Sequence, residues 1–154
     1  TFAMKFAAHG AVTIASQSGA INEFVERIGK EYIFTFGKTS AELAQLGHYR
    51  PMDIINGDER LKAIFSFLEN DLVPRTAEGH AMYPLLWTLR DSDRQYVLLD
   101  FADYCAKQEQ VDAEYADQTA WLKRALFSIA RIGWFSSDRA IREYAENVWK
   151  ISST

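Results

Sequence analysis

A single cysteine, Cys105, occurs in the 154 residues. Without a second thiol there is no internal disulfide framework, and the chain fits a reducing, cytoplasmic setting. An excess of positive charge is missing too. The 17 Lys and Arg against 21 Asp and Glu give a formal net charge of -4, and the cations are scattered along the chain. This excludes the basic footprint of a nucleic-acid binder or of a protein held on an anionic membrane. No apolar run approaches the length that spans a bilayer. No charged stretch precedes the apolar opening, so no secretory signal is legible. The glycines at 10, 19 and 29 do not form G-x-G-x-x-G, and no dinucleotide fingerprint exists. His9, His48 and His80 lie far apart, none with a cysteine or histidine at metal-ligand spacing, and no metal is expected.

Hydrophobic residues make up 48% and aromatic residues 14%, enough for a core. Phe2–Ala8 reads as a short buried helix ended by His9-Gly10. Ala11–Ser16 reads as a β-branched strand, Ala20–Gly29 as an amphipathic helix, and Tyr32–Phe36 as a second apolar strand. Two apolar strands joined by a crossover helix form a βαβ unit, which implies a parallel sheet covered on both faces. Thr39 with Glu42 forms a capping box for Ser40–Leu46. Beyond Gly47 no strand is convincing. Helices are expected at Asp58–Glu69, at Ala81–Leu89 around Pro84, at Arg94–Tyr115, at Thr119–Ile132 after an Asp117 cap, and from a Ser136 or Ser137 cap to Trp149. Asn70–Gly79 reads as a loop. The chain is thus an α/β protein and a single domain over 1–154, with a βαβ part at 1–47 and helices at 48–154. Two strands are too few for an independent sheet, which makes this the tail of a larger α/β domain.

Most candidate chemistry has a plain explanation. Asp100 and Asp103 lie on a helix flank, solvated or paired with Arg94 and Lys107. Ser136-Ser137-Asp138 is a helix cap, Cys105 a packed thiol, and Trp121, Trp134 and Trp149 pack the last helices together. Lys5 is different. It is the one charged residue in Thr1–His9, TFAMKFAAH. Either it snorkels outward from a short helix, or its amine meets a group the chain does not supply.

The last third carries a long pattern. Tyr96–Gln110, then Val111-Asp112, Tyr115, Trp121, Ile129-Ala130 and GWFSSDRAIREYAENVW at 133–149 closely resemble the C-terminal end of the α-glucan phosphorylases, the glycogen and maltodextrin phosphorylase family. A weaker collinear match runs back through Met4-Lys5-Phe6, Gly10-Ala11, Gly19-Ala20, Ile33-Phe34 and Phe36-Gly37, fading between about Asn70 and Asp91. The resemblance implies the C-terminal part of a Rossmann-like domain in a two-domain GT-B arrangement. It also implies pyridoxal phosphate as cofactor, and phosphorolysis of an α-1,4-glucan to glucose 1-phosphate.

By the same resemblance, Thr1–Lys5 aligns on the family's Thr-Gly-Asn-Met-Lys motif, which makes Lys5 the cofactor lysine. Thr1 and the backbone at Phe2 fall where the cofactor phosphate is held. An amine must be neutral to attack an aldehyde, and apolar surroundings favour that form. The motif's glycine and asparagine are Phe2 and Ala3 here, and the family's Asp-Gly-Ala-Asn turn is Ser18-Gly19-Ala20-Ile21. Glycine lets the backbone approach an anion; phenylalanine crowds it. The family's substrate-phosphate residues and its N-terminal domain have no counterpart in these 154 residues. The expectation is a phosphorylase segment that is inactive alone, whose α-glucan and phosphate partners belong to the complete enzyme. The alternative is a non-catalytic phosphorylase-derived domain that acts in folding or assembly. The open flank of a two-stranded sheet favours a homo-oligomer.

Overall fold

The computed structural model describes residues 2–151. They form two compact units, one from 2–36 with 106–151 and one from 37–105.

The first unit opens with α1 (Phe2–Ala8), β1 (Ile14–Ser16), α2 (Gly19–Ile28) and β2 (Phe34–Phe36). The two strands pair in parallel, Ile14 opposite Phe34 and Ser16 opposite Phe36. This is the expected βαβ unit, with shorter strands than the apolar runs predict. Thr13 still accepts from the Phe34 amide at 2.9 Å. Lys30–Tyr32, by contrast, closes a 3-10 turn that consumes the start of the second run. The crossover helix buries Phe24 and Ile28 against Ala7 and Ile33, with Met4, Tyr32, Ile132 and Phe135 at the margin. α1 departs from the buried helix that was expected. Only Ala7 is buried, because Met4 and Ala7, three residues apart, face the core while Phe2 and Phe6 stack on each other outside, 6.5 Å between rings. The unit is completed by the later part of α8 (Phe101–Ala116), by α9 (Gln118–Arg131) and by α10 (Ser137–Glu143), which continues as a wider turn through Trp149. Asp117 caps α9 by accepting from the Thr119 and Ala120 amides, and Ser136 caps α10.

The second unit holds α3 (Ser40–Gln45), α4 (Pro51–Gly57), α5 (Glu59–Phe67), α6 (Val73–Arg75) and α7 (Ala77–Asp91). Its core gathers Ile55, Leu61, Phe65, Val73, Leu86 and Leu98. The Thr39–Glu42 capping box forms as expected. Its amide and hydroxyl bonds, with Lys38 beside them, lower the Glu42 carboxyl to about 2. The segment at 70–79 is not a loop. Leu68–Leu72 extends α5 as a wide turn, α6 follows, and Thr76 caps α7 four residues earlier than the sequence pattern places it. Gly79, which reads as a breaker, is a close-packing residue: a Cβ there would stand 2.2 Å from the Leu72 carbonyl oxygen. Pro84 lies inside α7, where the Thr88 hydroxyl donates to its carbonyl at 2.8 Å.

The long helix expected from Arg94 begins only at Phe101. Asp93 is the reason. It is 1% exposed, with a positive φ of 32°. Its carboxylate accepts from the Val97 and Leu98 amides, both at 2.9 Å, and from the Tyr49 hydroxyl at 2.6 Å. A side chain that captures amides four and five residues onward replaces the helical ladder with a turn. Tyr96, also at positive φ, completes it and packs its ring 5.5 Å from Tyr49.

Burial first, and the Asp93 carboxylate second, push the Tyr49 phenol well above the usual tyrosine range. A raised folded-state value means that Tyr49 contributes fully below the unfolded value, near about pH 10, and loses that contribution as pH rises through the folded value. Denaturant unfolding should therefore show a stability that declines above about pH 10. Tyr49→Phe should cost about 1–3 kcal/mol at neutral pH and flatten that decline. An unchanged alkaline slope in the variant would refute the role given to Tyr49.

Candidate functional site

The expected cofactor position is α1 and the turn behind it. Thr1 lies outside the described residues. Phe2 begins α1 and is 75% exposed. Lys5 sits on the solvent side of the same helix, also exposed. The helix is placed by the turn at Gly10, whose φ of +80° is open to glycine and strained for other residues. A Cβ at Gly10 would sit 3.2 Å from the Ile129 Cδ1, so the glycine also lets the chain pass close over α9. Beside α1 runs a groove of about 400 Å3 lined by Ala3, Phe6 and the strand approach Ala11–Ala15. It carries no charged group, its one side-chain hydroxyl is that of Thr13, and Lys5 is not part of its wall.

The described residues therefore offer a solvent-facing amine next to an apolar slot. Around α1 they offer no enclosure for the amine, and no second cation or cluster of amides beside it. Ser18 precedes α2 without a side-chain cap bond, and a Cβ at Gly19 would meet nothing within 4 Å. The family-like Ser18-Gly19 turn is thus an open surface rather than a cradle.

The acidic pair takes an unexpected role. Asp103 accepts from the Gly37 amide at 2.6 Å and Asp100 from the Lys38 amide at 3.0 Å, so neither needs Arg94 or Lys107. Burial chiefly, with Asp103 and Asp93 nearby, raises the Asp100 carboxyl, against the Lys38 amide bond. The pair fixes the chain just after β2, and it is structural rather than an acid-base couple. Among the described residues no group of three or more His, Cys, Asp or Glu side chains could hold a metal ion, and no helix is long and apolar enough to cross a membrane.

Comparison with known proteins gives the class. The sequence pattern of the carbohydrate phosphorylases matches residues 1–151, and the chain belongs to that family. Glycogen phosphorylase of Pasteurella multocida is 39% identical over 151 residues, covering 96% of this chain and 18% of the relative. Glycogen phosphorylase of Synechocystis is 37% identical over 150 residues, again 96% and 18%. Maltodextrin phosphorylase of Streptococcus pneumoniae is 32% identical over 152 residues, 97% of this chain and 20% of the relative. The chain thus spans about a fifth of the length of the relatives it matches. The family resemblance read from the FSSDR and EYA motifs is borne out.

The geometry of α1 makes opposite demands of two neighbouring residues. Lys5→Ala should shift unfolding stability by less than about 0.5 kcal/mol, since an exposed side chain leaves no hole. Gly10→Ala should cost about 1–2 kcal/mol from the positive φ alone. Thermal unfolding of the two variants checks this, and the reverse order of effects would show that Lys5 is structural.

Proposed function

We propose that this chain is the carboxy-terminal segment of an α-glucan phosphorylase of GT-B architecture, and that its 154 residues alone do not catalyse phosphorolysis. The observation that carries the reading is the family match over 1–151, joined to a span of 18% of the glycogen phosphorylases compared. The surroundings of α1 support the second half. Cleaving a glucan with phosphate needs cations or oriented amides to hold two anions close together, and among the described residues no such seat occurs around Lys5 and Phe2.

Pyridoxal phosphate is the family's cofactor by resemblance, and the residues present meet only one of its two needs. The Lys5 amine is accessible for attachment. The phosphate is not provided for: an exposed phenylalanine begins α1, and the adjoining groove is apolar and uncharged. Lys5 is the family's cofactor position in a site that, within the described residues, does not fit the group.

The alternative role in assembly draws on a different observation. Leu122, Leu126 and Ile129 line one side of α9 at four- and three-residue spacing, exposed by 57%, 64% and 42%. Such an apolar stripe calls for cover, from the rest of a phosphorylase or from a second copy.

One experiment tests the main reading. The 154-residue chain, mixed with maltodextrin, inorganic phosphate and pyridoxal phosphate, should release no glucose 1-phosphate. After borohydride reduction, peptide mass analysis should find label spread over its lysines. Turnover, or a stoichiometric label at Lys5 alone, would contradict the proposal.

A further inference from the structure

One groove runs against the charge of the whole chain. It lies in the first unit, where the C-terminal turn of α2, the end of α9 and the start of α10 meet around Trp134, and its volume is about 740 Å3. On a chain of net charge -4, four arginines line it: Arg27, Arg131, Arg139 and Arg142. The carboxylates in its wall are Glu26 and Asp138, so the lining keeps an excess of positive charge.

The arginines fall into two kinds. Arg131 and Arg139 are anchored. Arg131 donates to the Ile28 carbonyl at 2.5 Å. Arg139 donates to the Trp134 carbonyl and pairs with Glu143. Arg27 and Arg142 form no salt bridge among the described residues, and both are exposed. Arg139 and Arg142, three residues apart, share one face of α10.

Trp134 holds the arrangement together. The Arg27 guanidinium carbon lies 3.6 Å from the indole centroid and that of Arg139 4.1 Å, so the two cations can be no farther apart than the sum of those distances. The indole Nε1–H faces Glu23 at 3.4 Å. Stacking on an indole orients a guanidinium while leaving its N–H edge free to donate. Glu143 already pairs with Arg139, whereas Arg27, held beside it on the same indole, has no carboxylate partner among the described residues.

We propose that this groove binds a small ligand carrying two linked phosphate groups. Arg27 would donate to one phosphate from α2, and Arg142 to the other from α10. Guanidinium forks match phosphate oxygens better than any other side chain does. A diphosphate carries one phosphate for each of the two helices, α2 and α10, that present Arg27 and Arg142 to the groove. Arg131 and Arg139, fixed by backbone carbonyls, set the field without having to move. The site is apart from Lys5 and does not depend on the phosphorylase reading.

The test is a titration of the full chain with pyrophosphate, followed by the indole N–H resonance of Trp134 in nuclear magnetic resonance. Trp134→Phe assigns that signal. We expect a saturable shift, at least tenfold weaker binding in Arg142→Gln and in Arg27→Gln, and weaker binding of inorganic phosphate than of pyrophosphate at matched ionic strength. Arg142 is exposed and unpaired, so its variant should keep the unfolding temperature even if Arg27→Gln loosens the indole. A shift reproduced by sodium chloride, affinity unchanged in Arg142→Gln, or equal binding of inorganic phosphate would each overturn the proposal.

Discussion

The first unit is assembled around Arg124. From the second turn of α9 its guanidinium makes a two-pronged contact with Glu114 on α8, with Nη2 to Oε2 at 2.7 Å. It also donates to the Glu31 carbonyl in the turn before β2 and lies 4.2 Å from the centroid of the Phe34 ring on β2 itself. One side chain thereby joins the strand, the turn that delivers it and two helices from the far end of the sequence. It does so where both partners are mostly shielded, the arginine side chain 15% and the glutamate 25% exposed. Planar bidentate geometry and partial burial make such a contact worth more than a surface ion pair. A two-stranded sheet is marginal alone. This one persists because helices from 106 onward supply the body it lacks.

That constraint shapes the functional reading. The residues that resemble the phosphorylases most closely, in α8 through α10, are those that hold and cover the βαβ element. α1, which carries Lys5, is held by Met4, Ala7 and the Gly10 passage over Ile129. The chain invests its packing in the scaffold and leaves the candidate cofactor position on the surface.

Much of this was legible in the residues. The βαβ unit, its parallel pairing, the Thr39–Glu42 box, the Asp117 and Ser136 caps and the family itself follow from spacing and motif. Three features did not. Asp93 ends a periodic run at Val97 and Phe101 that reads as helix, because a buried carboxylate outbids the helical ladder for amides, and periodicity does not register side-chain capture. Gly79 reads as a loop residue because its role depends on how closely the Leu72 carbonyl approaches, a tertiary fact. The Arg27–Trp134–Arg139 cluster joins positions more than a hundred residues apart, and only the arginine-rich composition after Arg131 hints at it. For the candidate site, the motif located Lys5, but its exposure depends on which face of α1 meets α9.

Native-state hydrogen exchange in Arg124→Met gives the most direct check on this account. The substitution keeps an apolar stem over Phe34 and removes the fork. If Arg124 makes the strands and the late helices one cooperative body, the amides of Phe34–Phe36 and those of α9 should lose protection together, by a common amount of about 2–4 kcal/mol. Loss confined to the α8–α9 contact, with the Phe34 amide as protected as before, would show that the sheet stands without that arginine and would contradict the account.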